Sequence, residues 1–200
     1  MTRRLCALLL TLAPFARADR LITVPTARKL LDGSVRLEYL QQFGRDASIG
    51  YATAAFGGAW EAEARYLHTD GRDDRGTLDL SYNIIAPLAG FSPGFAVGVQ
   101  DIADETKAGT RAFLCGTIRN EFGAGNAPFD VTVGLFAGRL VTPYVGTSVP
   151  LYAWASLLAE QDGRQGQLAL EARPTRGLRL RLIARSGNVL GSVGYTVSFK

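Results

Sequence analysis

An antiparallel, up-and-down transmembrane β-barrel of about twelve strands, with ten as the alternative count, is the all-β fold that this 200-residue sequence predicts. Three observations carry it. Strand-length segments alternate apolar and charged residues with a period of two, the signature of a strand with two different faces. The segments are about ten residues long, the length of a tilted membrane-crossing strand, and after the N-terminus no stretch has the roughly eighteen uninterrupted apolar residues of a spanning helix. The chain also opens on an export signal and closes on an alternating strand that ends in Phe199.

The alternation is plainest at residues 58–68, GAWEAEARYLH, where Trp60, Ala62, Ala64 and Tyr66 share one parity and Glu61, Glu63 and Arg65 the other. Its aromatic residues sit near the two ends, where a bilayer has its interfaces.

Residues 1–18 read as a secretory signal. Arg3 and Arg4 form the basic n-region, residues 5–12 the apolar h-region, and Ala16-Arg17-Ala18 an A-x-A cleavage site, leaving residues 19–200 as a single barrel domain. Arg3, Arg4 and Arg17 leave with the signal, taking 22 basic residues to 19 against 18 acidic ones. A balance of +1 calls for neither nucleic acid nor a strongly acidic partner. Cys6 leaves too, so Cys115 has no partner for an internal disulfide and reads as a small strand side chain.

Residues 19–32, interrupted by Pro25, read as a short lead-in on the periplasmic side. Strands are expected at 34–42, 47–56, 59–68, 76–85, 95–101, 110–119, 131–138, 143–149, 153–161, 165–173, 178–185 and 189–199. Polar connections at 44–46, 70–75, 103–109, 139–142, 162–164 and 186–188 alternate with tighter or more apolar ones at 57–58, 87–94, 121–128, 150–152 and 174–177. Longer outer loops and shorter periplasmic turns give that alternation, and an even strand number returns both termini to the periplasm.

Charge assigns the faces. Leu37, Tyr39, Leu78, Leu80, Tyr82, Val97, Val99, Leu168, Leu170, Val193 and Tyr195 are among those of the apolar parity. A basic residue facing lipid at mid-membrane costs ~2–4 kcal/mol, so the other parity belongs to the lumen: Arg36, Glu38, Glu61, Glu63, Arg65, Asp79, Glu171, Arg173, Arg179 and Arg181. A symmetric hairpin at 70–75 puts Arg65 opposite Asp79. A tight turn at 174–177 puts Glu171 opposite Arg181, with Arg173 near Arg179. These charges read as structural pairs that balance one another rather than as catalytic carboxylates. A soluble β-protein with its apolar face inward has the same alternation and is the rival fold.

His68 is the sole histidine, which excludes a His-based metal cluster. A Ser–His hydrolase needs a serine beside it, and only Thr69 is adjacent. The loops at 69–75 and 101–107 are rich in carboxylates but lack the full calcium-loop pattern. The expectation is therefore a non-enzymatic protein with no catalytic, cofactor or metal site.

The segments Leu21-Ile22-Thr23-Val24-Pro25-Thr26, Val35-Arg36-Leu37-Glu38-Tyr39, Ser92-Pro93-Gly94 with Gly98-Val99-Gln100-Asp101, Leu158 through Gly163, and Arg173-Pro174 with Gly177-Leu178 resemble the YjbH-like outer-membrane barrels. The resemblance implies a barrel in the bacterial outer membrane with an accessory role in exopolysaccharide production or export, and surface polysaccharide or its export machinery as partner. Outer-membrane lipid and the barrel assembly machinery, engaged through the terminal strand ending at Phe199, are the other partners expected of a monomer. A narrow porin-like channel for small polar solutes is the alternative function, followed by an outer-membrane hydrolase.

Overall fold

A computed structural model describes residues 20–90, 92–121 and 128–199. The export signal lies outside the described residues, as does most of the connection at 121–128. Twelve strands follow one another: β1 (Ser34–Gln42), β2 (Ala47–Phe56), β3 (Trp60–Thr69), β4 (Arg75–Ile85), β5 (Gly94–Gln100) and β6 (Arg111–Glu121) make the first half. The second half is β7 (Pro128–Ala137), β8 (Val141–Tyr152), β9 (Ala155–Gln161), β10 (Gly166–Ala172), β11 (Leu178–Arg185) and β12 (Asn188–Ser198). Each pairs antiparallel with its sequence neighbours, and β1 pairs with β12 from Ser34↔Ser198 to Gln42↔Leu190, closing the barrel. Closure leaves no strand edge unpaired, which is the condition for crossing lipid with strands.

Strands β1, β2 and β11 have the bounds expected of them. The largest departure is β8, which continues to Tyr152 where the sequence suggests a turn at 150–152. The register shifts between Pro150 and Tyr152. That bulge absorbs a proline that has no N–H to give the ladder, so the strand persists and the turn moves to Ala153 and Trp154.

The apolar parity faces outward. Leu37, Leu78, Val133, Leu168, Leu170, Leu182, Val193 and Tyr195 are all exposed, on a surface where a soluble barrel would place polar residues. Aromatic residues gather at its ends: Trp60 on Tyr82, with ring centroids 4.8 Å apart, and Tyr152 stacked on Trp154 at 5.7 Å, mark the inner end. The rival with its apolar face inward is excluded by this surface. Val193 lies at the middle of β12 and is 47% exposed. Val193→Arg is expected to destabilise the barrel by ~2–4 kcal/mol in a bilayer, read as a lower urea midpoint for loss of the folded band in unboiled gels. An unchanged midpoint would place Val193 away from lipid.

The lumen is filled. Residues 20–32 do not stay at the inner rim as a lead-in; they enter the barrel, and Leu21, Ile22, Val24, Ala27 and Leu30 are buried there. The physical reason is width. Eight strands enclose a space that wall side chains can fill, and twelve enclose more.

Candidate functional site: the lumen and the segment that fills it

The segment takes an irregular path because Pro25 prevents a strand and its donors find side-chain acceptors instead of a ladder. Residues 20–25 fold into a tight turn, bridged between Arg20 and Pro25 and closed by Leu21 N–H donating to the Val24 carbonyl at 3.0 Å. The turn points its amides at one carboxylate. Glu160, on β9, accepts from the backbone N–H groups of Ile22 and Thr23 at 2.9 Å and of Val24 at 3.2 Å. It also accepts from the Thr23 hydroxyl at 2.5 Å and from the Gln167 amide on β10 at 3.0 Å. Below the turn, the Thr117 hydroxyl on β6 accepts from Ala27 N–H at 2.9 Å, and Glu61 accepts from Leu30 N–H at 3.0 Å. At the inner rim Asp32 accepts from Gly58 N–H at 3.0 Å.

Two segment arginines add charge to this attachment. Arg20 donates to Glu38 at 2.8 Å and to Glu63, and lies 3.5 Å from the centre of the Tyr51 ring. Arg28 donates to Asp130 at 2.5 Å. Around the outer half of the segment an apolar collar closes, formed by Leu21 and Val24 with Leu40, Phe113, Phe136, Tyr144, Leu158, Ile183 and Leu190 of the wall. Gly134 makes room for it, since a Cβ there would collide with the Tyr144 ring. Above the collar a vestibule of about 200 Å³ opens at the outer mouth beside Gln42, Leu67, Gln165 and Arg185.

Nine of the ten charged wall positions singled out in the sequence form two ion-paired groups that Arg20 of the segment bridges, and the tenth, Glu61, accepts from the segment. Glu171 accepts from Arg181 at 2.8 Å and pairs with Arg173 at 2.5 Å, while Arg179 reaches Glu38 at 3.2 Å and Arg181 reaches it at 3.5 Å. Ser192 also donates to Glu38, at 2.6 Å. On the adjoining strands β1 to β3, Arg36 lies 3.8 Å from Glu63, and Thr53 donates to Glu63 at 2.9 Å. Glu171 does sit opposite Arg181 in the ladder. Arg65, however, is opposite Thr77 and Glu63 is opposite Asp79, because the hairpin is offset by one pair from symmetry. The Arg65–Asp79 ion pair forms diagonally, using the length of the guanidinium arm. Glu61 is the member of the ten that serves the filling segment through a backbone N–H.

Residues that the sequence reading passed over do as much as those it named. Glu160, Asp130 and Thr117 each occupy a lumen position, and Arg119 donates to Asp130 at 2.8 Å. Strand parity would have found Asp130 and Arg119; their link to residues 20–32 has no local signal.

At the outer rim the polar groups satisfy one another. His68 Nδ1 lies 2.7 Å from Asp74, to which Tyr66 also donates. Among the described residues no serine hydroxyl hydrogen-bonds to His68. Asp101, at the start of the β5–β6 loop, accepts from Glu105 N–H at 3.0 Å, Thr106 N–H at 2.8 Å and the Thr106 hydroxyl at 2.5 Å. Burial opposes ionisation of Asp101, but the Thr106 and Glu105 donors outweigh it and hold its carboxyl below the usual carboxylate range. With its folded value depressed, Asp101 stabilises the loop above the unfolded value of about 3.9 and ceases to as pH falls through the lowered one. The Thr106 amide should exchange slowly at neutral pH and lose protection only as pH falls through that lowered value. Protection that persists in acid would show that the carboxylate does not hold the loop.

No protein-family model matches the chain, and no curated protein matches it significantly. The resemblance to YjbH-like barrels therefore stands on its short segments alone. Among solved structures the chain is similar to one described as a KdgM porin, at 12% identity and a TM-score of 0.57, over 84% of this chain and 99% of that one. A second, described as a KdgM porin in complex with disordered oligogalacturonate, gives 11% identity and a TM-score of 0.49 over the same shares. The first likeness is one of fold.

Proposed function

We propose that the protein is a bacterial outer-membrane channel of porin type for small polar solutes, closed by its own residues 20–32. The observation that carries this is how the lumen is closed. What blocks it contributes no rung to the barrel ladder and is attached by side-chain hydrogen bonds and ion pairs that can break singly. The wall behind it is lined by paired charges, among them Arg36, Glu38, Glu63, Arg179 and Arg181. Such a lining holds water and passes hydrophilic molecules, whereas a barrel needed only as a scaffold can close with apolar side chains. The fold shared with a porin supports the same reading. Export through residues 1–18, insertion by the assembly machinery through the strand before Phe199, and residence as a monomer in outer-membrane lipid belong to this proposal.

The test is conductance in planar bilayers, run on protein first shown to be a heat-modifiable species of the outer-membrane fraction. The intact chain should be silent apart from rare steps, and a variant lacking residues 20–32 should conduct steadily. A folded variant that stays silent would leave the accessory role in surface polysaccharide as the better account.

A further inference from the structure

Residues 20–32 are held in the lumen as a bound peptide is held. Most of the contacts run from segment donors to wall acceptors, with Gln167 donating to Thr23 and Gly58 to Asp32 the other way. Five backbone N–H groups, of Ile22, Thr23, Val24, Ala27 and Leu30, end on wall side chains. Two guanidinium groups end on wall carboxylates, Arg20 on Glu38 and Glu63, and Arg28 on Asp130. Those three acids are also served by wall arginines: Glu38 by Arg179 and Arg181, Glu63 by Arg36, and Asp130 by Arg119. Glu160 is different. Among the described residues no arginine or lysine pairs with it, and apart from Gln167 its partners all belong to the segment.

We propose that the lumen is a binding track for short peptides carrying a basic side chain, which occupy it in place of residues 20–32. This rests on the reading of the lumen as a conducting path and names its solute class. A buried carboxylate left without a cation is best satisfied by convergent N–H donors, and a peptide turn provides three of them within adjacent residues. The guanidinium place between Glu38 and Glu63, beside the Tyr51 ring, selects an arginine-like group by charge and by its face. A polyanion would set like charge against the buried Glu160 carboxylate, which has no cation beside it to offset the repulsion.

The probe is a fluorescent synthetic peptide of residues 19–32, DRLITVPTARKLLD. It is added to the full chain carrying Arg20→Ala and Arg28→Ala, which loosens the resident segment and keeps the barrel wall complete. A second target lacks residues 20–32, and both are used only after heat-modifiable mobility shows that they are folded. Saturable binding by anisotropy is expected, and adding Glu160→Gln to the wall should weaken it roughly 30-fold. The same peptide with glutamate at the two arginine positions, and oligogalacturonate as an anionic probe, should not compete. Absence of saturable binding to either folded target would overturn the proposal, as would oligogalacturonate competing as well as the parent peptide. Binding by a variant that carries no current would overturn the channel reading alone. Conduction without binding would overturn the peptide track alone.

Discussion

Removing residues 20–32 from the full chain is expected to convert a silent barrel into a steady conductor, the largest functional change any alteration of this protein should give. The segment adds nothing to the ladder, and Gly33, which joins β2 to the terminal strand at the inner rim by donating to Ala55 and accepting from Phe199, is retained. The wall should therefore still close. Energetics favour a releasable attachment. Burying Leu21, Ile22, Val24 and Leu30 contributes ~1.5–3 kcal/mol each, and hydrogen bonds to charged groups contribute ~1.5–3 kcal/mol each. Ordering the backbone costs about 1–2 kcal/mol for every residue of the segment. The gain and the ordering cost oppose each other, so the net hold is a fraction of either, and the segment closes the lumen without being welded into it. Single-channel recording decides the matter: discrete long-lived steps from the deletion variant support it, and a folded but silent variant rejects it.

Glu160→Gln is expected to have the second-largest effect. The carboxylate offers two oxygens to five donors; a carboxamide offers one, and turns an N–H₂ group toward the rest. Leaving buried amides of Ile22, Thr23 or Val24 without acceptors costs ~1–3 kcal/mol for each. A loss of about 2–4 kcal/mol raises the unlatched population roughly 30- to 1,000-fold, because each 1.36 kcal/mol is a factor of ten. The readouts are the frequency of openings in bilayers and the exchange rates of the same three amides. Unchanged openings together with unchanged exchange would show that the turn is held by its apolar contacts in the collar and not by the carboxylate.

Much of the barrel is legible without coordinates, for a physical reason that applies residue by residue. A strand places successive side chains on opposite faces, so parity alone separates Leu37 and Tyr39 from Arg36 and Glu38, and lipid tolerates only the first pair. Turn residues then mark the ends, as Gly44 does after β1 and Gly187 does before β12, both with the positive φ that glycine adopts without cost. Pairing is less legible than parity. Opposition of Glu171 and Arg181 follows from a short turn, whereas the one-pair offset that sets Arg65 against Thr77 depends on how the longer 70–74 loop closes.

What fills the lumen was decided by tertiary structure alone. Residues 20–32 have no period to reveal a face, and their proline reads equally well as a break in a lead-in or a kink in a plug. Two of their main partners lie far along the chain: Glu160 is 138 residues from Ile22 and Asp130 is 102 from Arg28. Such contacts exist only once twelve strands have closed, because the closed wall is what brings β3, β6, β7 and β9 around one axis and leaves between them a space too wide for their own side chains. The sequence by itself determined a wall of about twelve strands with a lipid face and a charged face; the structure decided the count of twelve, and closure of that wall decided that the charged face would hold a segment of the same chain.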